Sequence, residues 1–267
     1  MKIFTHSPYF LSQRLGRWRW PWLLLAFFSF IPVSIIFGLV FKYLLHHLST
    51  FTERPLYQLL KESDHLTDPL LVLLELLSLG LSLWAVTIVG TLIQGRSVRS
   101  LIAPIKPFRW GLAGKALCLA IFVQLLFFVI PIPGLRGFQP IVHFNGFRLE
   151  HVYWLLPLTF CILLQTSGED VFFKGFLLRQ FGALIPVFWV VPVLITLLFS
   201  FLHIGNPDFM KNIGTVLVYF TITELLVVYC LMRSGGMEIP LVLHFLNNVF
   251  LFVICSEEGT QANDLTL

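Results

Sequence analysis

Residues Val152 to Gln180 read VYWLLPLTFCILLQTSGEDVFFKGFLLRQ. About 20 mainly apolar residues suffice to cross a bilayer as a helix, and this run is long enough. Yet it carries Glu169, Asp170 and Lys174 within six residues. An ionisable group inside a span costs about 2.5–3.5 kcal/mol on insertion scales, so such groups face a protein interior or a watered cavity and mark function. Helical geometry sorts the three. Asp170 and Lys174 stand at i,i+4 with the acid first, the favoured ion-pair order. Glu169 points about 100° away from Asp170, which leaves it free to face something else.

Outward from this stretch the chain repeats the pattern without the charges. Apolar runs occupy Trp22–Leu45, Leu70–Gln94, Gly111–Ile130, Leu184–His203, Val216–Met232 and Ile239–Cys255. They are too long and too weakly alternating for barrel strands. Of the 267 residues, 57% are hydrophobic and 12% charged, against about 25% charged in a soluble domain. The expected fold is therefore all-α: a polytopic transmembrane bundle of about seven spans, with eight possible. The site is expected among spans four, five and seven. The first run follows Arg14, Arg17 and Arg19, as a signal peptide would, but it is too long for a signal h-region and lacks a small-residue cleavage site, so it reads as an uncleaved span.

The net charge is +4, and its placement says more than its size. Lys2, Arg14, Arg17 and Arg19 precede span one; Arg96, Arg99, Lys106 and Arg109 separate spans two and three; the tail after Cys255 holds Glu257, Glu258 and Asp264 and no Lys or Arg. Cytoplasmic loops collect Lys and Arg, so the N-terminus is expected in the cytoplasm and the tail outside. Lys42, Arg54 and Lys61 between spans one and two run against this pattern. Basic clusters placed this way read as topology and lipid contact rather than nucleic-acid binding. The four cysteines lie in or at the end of spans without a C-x-x-C pair, which suits small buried hydrophobes. No soluble domain is visible. The segment His46–Pro69 suggests a short interfacial helix, and Pro131–Glu150, rich in Gly and Pro, reads as loop. The organisation is residues 1–150 as N-terminal helices and loops, 151–256 as a core, and 257–267 as a polar tail.

Further polar groups recur in the later spans. Span five ends Phe199-Ser-Phe-Leu-His203, followed by Asn206-Pro207; Phe199 and His203 share a face. Span seven carries His244-Phe-Leu-Asn247-Asn248, whose His244 and Asn248 share another. Glu169, His203, and His244 with Asn248 together make an acid/base set with a donor pair suited to an oxyanion. Such a set fits water attack on an amide. Glu169, His203 and His244 could equally hold zinc with an open position for water, and the residues alone leave the two open.

At these residues the sequence resembles the CPBP family, which comprises type II CAAX prenyl proteases and bacteriocin-processing or immunity proteins. Its motifs E-E-x-x-x-R, F-x-x-x-H and H-x-x-x-N correspond here to Glu169-Asp170-Val-Phe-Phe-Lys174, Phe199-Ser-Phe-Leu-His203 and His244-Phe-Leu-Asn247-Asn248. The resemblance covers roughly Thr166–Phe252. It implies an intramembrane endopeptidase in a bacterial cell membrane. Glu169 and His203 would activate water, His244 and Asn248 would hold the oxyanion, and Asp170, Lys174 and Phe199 would support them. It implies a hydrophobic or lipidated peptide substrate and no obligatory cofactor, although the family has also been called metalloprotease. Two departures stand out: Asp170 replaces a Glu, and Lys174 replaces an Arg and lacks its bidentate fork. They prompt a second expectation, a non-catalytic immunity or scaffold protein. Glu75 in span two and Glu224 in span six read as helix-interface groups or as a proton path, and the latter prompts a third, an ion-coupled transporter.

Overall fold

A computed structural model describes residues 9, 19–51, 69–129, 149–185, 189–204 and 213–250. Every regular element among them is helical. In chain order these are α1 (Trp20–Phe51), α2 (Pro69–Ile93), α3 (Arg99–Ile102), α4 (Trp110–Val129) and α5 (Leu149–Asp170). A π-helical segment (Val171–Leu177) follows without a break, then α6 (Leu178–Leu184), α7 (Val190–Leu202), α8 (Ile213–Ser234) and α9 (Glu238–Val249). Among the described residues three stretches are long and apolar enough to cross a membrane: Trp20–Val40, Val72–Ile93 and Leu217–Ser234. Trp110–Leu126 and Val190–Leu202 are shorter apolar helices. Residues 46–51 of the expected interfacial segment continue α1, while 52–68, most of the 131–150 loop, Asn206-Pro207 and the polar tail lie outside the described residues.

The fifth apolar run does not form one helix. Leu184 ends α6, and Ile185 is extended at φ −104°, ψ 112°. Pro186 follows Ile185, and the proline ring clashes with an α-helical residue before it. The helix that follows, α7, has 13 residues and is about 20 Å long, short of a 30 Å hydrocarbon core. The fourth run is correspondingly longer in its helical extent, since α5, the π segment and α6 follow one another directly.

Apolar and polar surfaces are inverted relative to a water-soluble bundle. Phe28, Leu39 and Leu119 are each more than 60% exposed, whereas Asp170, Lys174 and Arg179 are at most 1% exposed. The main apolar cluster surrounds the π segment: Val171, Phe173 and Phe176 pack with Phe199, Leu231 and Met237. A second cluster joins α2 to α5 through Val72, Leu76, Leu158 and Ile162. The α2–α5 crossing is close. A Cβ on Gly80 would meet the Leu164 and Gln165 backbone at 2.8 Å, and one on Gly168 would meet the Gly80 carbonyl oxygen at 3.0 Å. Small residues let membrane helices approach in this way. Trp84 Nε1–H donates to Ser167 Oγ at 3.1 Å across the same contact. Thus α2 fixes the helix that carries Glu169 and Asp170.

Candidate active site

The acids of α5 stand at its last turn, where the helix passes into the π segment. Both are buried, Glu169 at 6% exposure and Asp170 fully. A π turn shifts the backbone hydrogen-bond register and is frequent at functional sites. One carbonyl in this segment has an outside donor: the Tyr9 hydroxyl, itself wholly buried, donates to the Lys174 carbonyl at 2.8 Å. The Arg179 guanidinium lies 5.2 Å from the Tyr9 ring centroid.

Lys174 pairs with Asp170 as the i,i+4 spacing predicts. It has a second acid, however: Glu224 on α8 approaches its Nζ at 2.8 Å. Nζ also lies 4.9 Å from the centroid of the Phe199 ring. The charge of Lys174 is therefore shared by two carboxylates on different helices. Glu224, read from sequence as either a helix-interface group or part of a proton path, joins two helices as a partner of this lysine. Glu75 is exposed on α2 and joins none of these contacts.

Asp170 is not held by Lys174 alone. Its Oδ1 also lies 3.0 Å from His244 Nδ1 on α9. The opposite nitrogen, His244 Nε2, lies 3.6 Å from Glu169 Oε2. One imidazole thus bridges the two neighbouring acids, which the one-dimensional pattern had separated by a helical rotation. Glu169 Oε2 is buried and has no hydrogen-bond partner among the described residues.

His203 follows α7 and takes a different set of contacts. Its Nδ1 lies 2.7 Å from the Phe199 carbonyl oxygen, so Nδ1–H donates, and Nε2 has no hydrogen-bond partner among the described residues. Its ring stacks on Phe220 at 5.0 Å and lies 4.5 Å from Phe199. Phe199 in turn meets His244 edge-on at 5.9 Å. The structure therefore joins His203 to His244 through the Phe199 ring. Among the described residues no ion pair links His203 to Glu169. Asn248 donates from Nδ2 to Gln165 Oε1 at 3.2 Å, one helical turn before Glu169.

Glu169, His203 and His244 do not gather as a zinc triad. No group of three or more His, Cys, Asp or Glu among the described residues is placed to hold a metal. The side chains as placed do not fit a three-ligand centre, and no step below runs through a metal. Sequence reading also missed Tyr9 and Gln165, and it did not name Lys174 as the partner of Glu224. Gln165 had a signal, as a polar residue one turn before Glu169 in an apolar run. Tyr9 had none, since its partner lies 165 positions away.

These elements define a class: a membrane helical bundle with a buried acid–imidazole cluster walled by aromatic rings. Residues 151–250 match the family model described as "Type II CAAX prenyl endopeptidase Rce1-like", and this part of the chain is a domain of that family. The chain is also 31% identical over 171 residues to "Uncharacterized protein YyaK" of Bacillus subtilis (strain 168), an alignment covering 62% of this chain. It covers 54% of that relative, so the chain spans about half its length. No solved structure matches.

Proposed function

We propose that the protein is an intramembrane endopeptidase that hydrolyses a peptide bond in a membrane-associated, hydrophobic or lipidated peptide. The observation that carries this reading is the Glu169 carboxylate: buried, 3.6 Å from His244 Nε2, and with one oxygen lacking a partner among the described residues. A buried acceptor without a partner attracts a water, and a desolvated carboxylate is a competent general base. Glu169 takes a proton from that water as its oxygen adds to the peptide carbonyl carbon. The Nε2 of His203 orients the same water. The oxyanion accepts from His244 Nε2–H and from the amide N–H of Asn248 that Gln165 does not use. Asp170 turns His244 so that Nε2 faces Glu169. The C–N bond then breaks, and Glu169 returns its proton to the departing amine.

The seven-span topology, with the N-terminus in the cytoplasm of a bacterial cell, belongs to the same proposal. Support comes from the contacts of the loop between spans two and three. That loop meets the turn between α8 and α9: Met237 N–H donates to the Ile102 carbonyl at 3.0 Å, and Arg109 pairs with Glu238. Alternating spans put both on the basic, cytoplasmic side.

A second reading, a non-catalytic immunity or scaffold protein, draws on Asp170 and Lys174 in place of the family's Glu and Arg. Comparative membrane proteomics of wild type against Glu169→Gln separates the two. The expected result is an uncleaved membrane peptide accumulating in the variant. Identical peptide profiles at equal expression would overturn the catalytic reading and favour the second. Cleavage by purified protein is expected to persist with a chelator.

A further inference from the structure

A second polar region lies apart from the acids. Between the α3–α4 loop and the α8–α9 turn is a cavity of about 190 Å³ whose lining includes Lys106, Arg109, Arg233, Glu238, Ile105 and Met232. A single water needs roughly 10–15 Å³, so the space admits a larger group. Three cations meet one acid here, and the acid is fully engaged. Glu238 accepts from Arg109 backbone N–H at 3.0 Å, from Nε at 2.9 Å and from Nη2 at 2.9 Å. Those hydrogen bonds hold the Arg109 guanidinium pKa above its ordinary value. Lys106 and Arg233 are exposed and have no ion-pair partner among the described residues.

The geometry of this corner is built, not incidental. Gly235 adopts φ +76°, a conformation open to glycine. A Cβ on Gly236 would sit 2.4 Å from a Glu238 carboxylate oxygen. The two glycines therefore let α8 end at Ser234 and α9 begin at Glu238, whose carboxylate meets Arg109. The depth is also marked. Trp110, 79% exposed at the start of α4, is an aromatic of the kind that settles at headgroup level. Ile105 and Met232 supply an apolar wall beside the cations.

We infer that this cavity binds a phosphate-bearing anion, with Lys106 and Arg233 as its principal cations and Arg109 as a fixed third charge. Its position between helix ends, with charge on one side and apolar side chains on the other, suits the headgroup of an anionic phospholipid. Basic pockets between membrane helices bind such headgroups. The inference requires membrane insertion, not catalysis by Glu169, so either can fail without the other.

The test is titration of the full-length protein in neutral detergent with phosphatidylglycerol and with phosphatidylcholine, bound lipid being read by native mass spectrometry. Phosphatidylglycerol is expected to bind more tightly. Lys106→Gln and Arg233→Gln are each expected to weaken it roughly five-fold, the factor that follows from the attraction of one cation near an anionic surface. Lys106→Arg and Arg233→Lys keep the charges and are expected to keep the lipid, which separates lost charge from misfolding. Competition by millimolar inorganic phosphate, with no preference between the lipids, would retain the anion site and overturn the lipid source. Equal binding of both lipids by wild type and the Gln variants, without phosphate competition, would overturn the site.

Discussion

Helix α4 and the α5–π continuation are both apolar in composition, yet they use their side chains in opposite ways. Leu119, Phe122 and Leu125 of α4 are more than half exposed. Glu169, Asp170 and Lys174 of the continuation are buried. In water this arrangement would be inverted, because apolar exposure costs about 25 cal/mol per Å². In a bilayer that cost vanishes, and desolvation of charge becomes the dominant penalty. The difference teaches where specificity resides. On α4 one apolar side chain serves as well as another, whereas each buried ion near the π segment needs a named partner.

The largest way to break that contrast is Asp170→Asn, which leaves Lys174 with Glu224 alone and removes the anion on His244 Nδ1. Loss of one member of a buried ion pair costs about 3–5 kcal/mol. A sharp fall in melting temperature in detergent is expected, together with loss of any cleavage. Gly80→Ala comes next. Its methyl would press on the α5 backbone at 2.8 Å, and overpacking costs about 1–3 kcal/mol. The expected signature is reduced thermal stability, with trypsin nicking of the purified protein at lower temperature. Tyr9→Phe removes one donor from the Lys174 carbonyl and is expected to cost about 1 kcal/mol. Hydrogen exchange at the π segment should quicken in that variant while exchange in α4 is unchanged. Smallest is Leu119→Ala on the exposed face, expected to stay within about 0.5 kcal/mol in a denaturation midpoint. A Leu119→Ala effect as large as that of Asp170→Asn would erase the contrast.

Much of the framework was legible because it depends on local spacing. The apolar runs Leu70–Gln94 and Gly111–Ile130 sit within a residue or so of α2 and α4 at each end. The Asp170–Lys174 pair followed from i,i+4 geometry and survives the passage into the π segment. The break at Ile185 was also written in Pro186, but the hydropathy of Leu184–His203 concealed it. The bridge from His244 to both acids was not legible. Residues 170 and 244 are 74 positions apart, and no spacing rule states which ring nitrogen will face which carboxylate.

The order of amino acids alone specified that this chain is helical, that it has segments suited to a bilayer, and which side chains are too polar to face lipid. Those are properties of composition and of the 3.6-residue period, shared by any chain with the same pattern. Folding in three dimensions chose the partners: Glu224 for Lys174, His244 for Asp170 and Glu169, Gln165 for Asn248, and Tyr9 for the Lys174 carbonyl. It chose them because a buried charge or donor must be met wherever packing brings a complementary atom, and packing joins residues the chain keeps far apart.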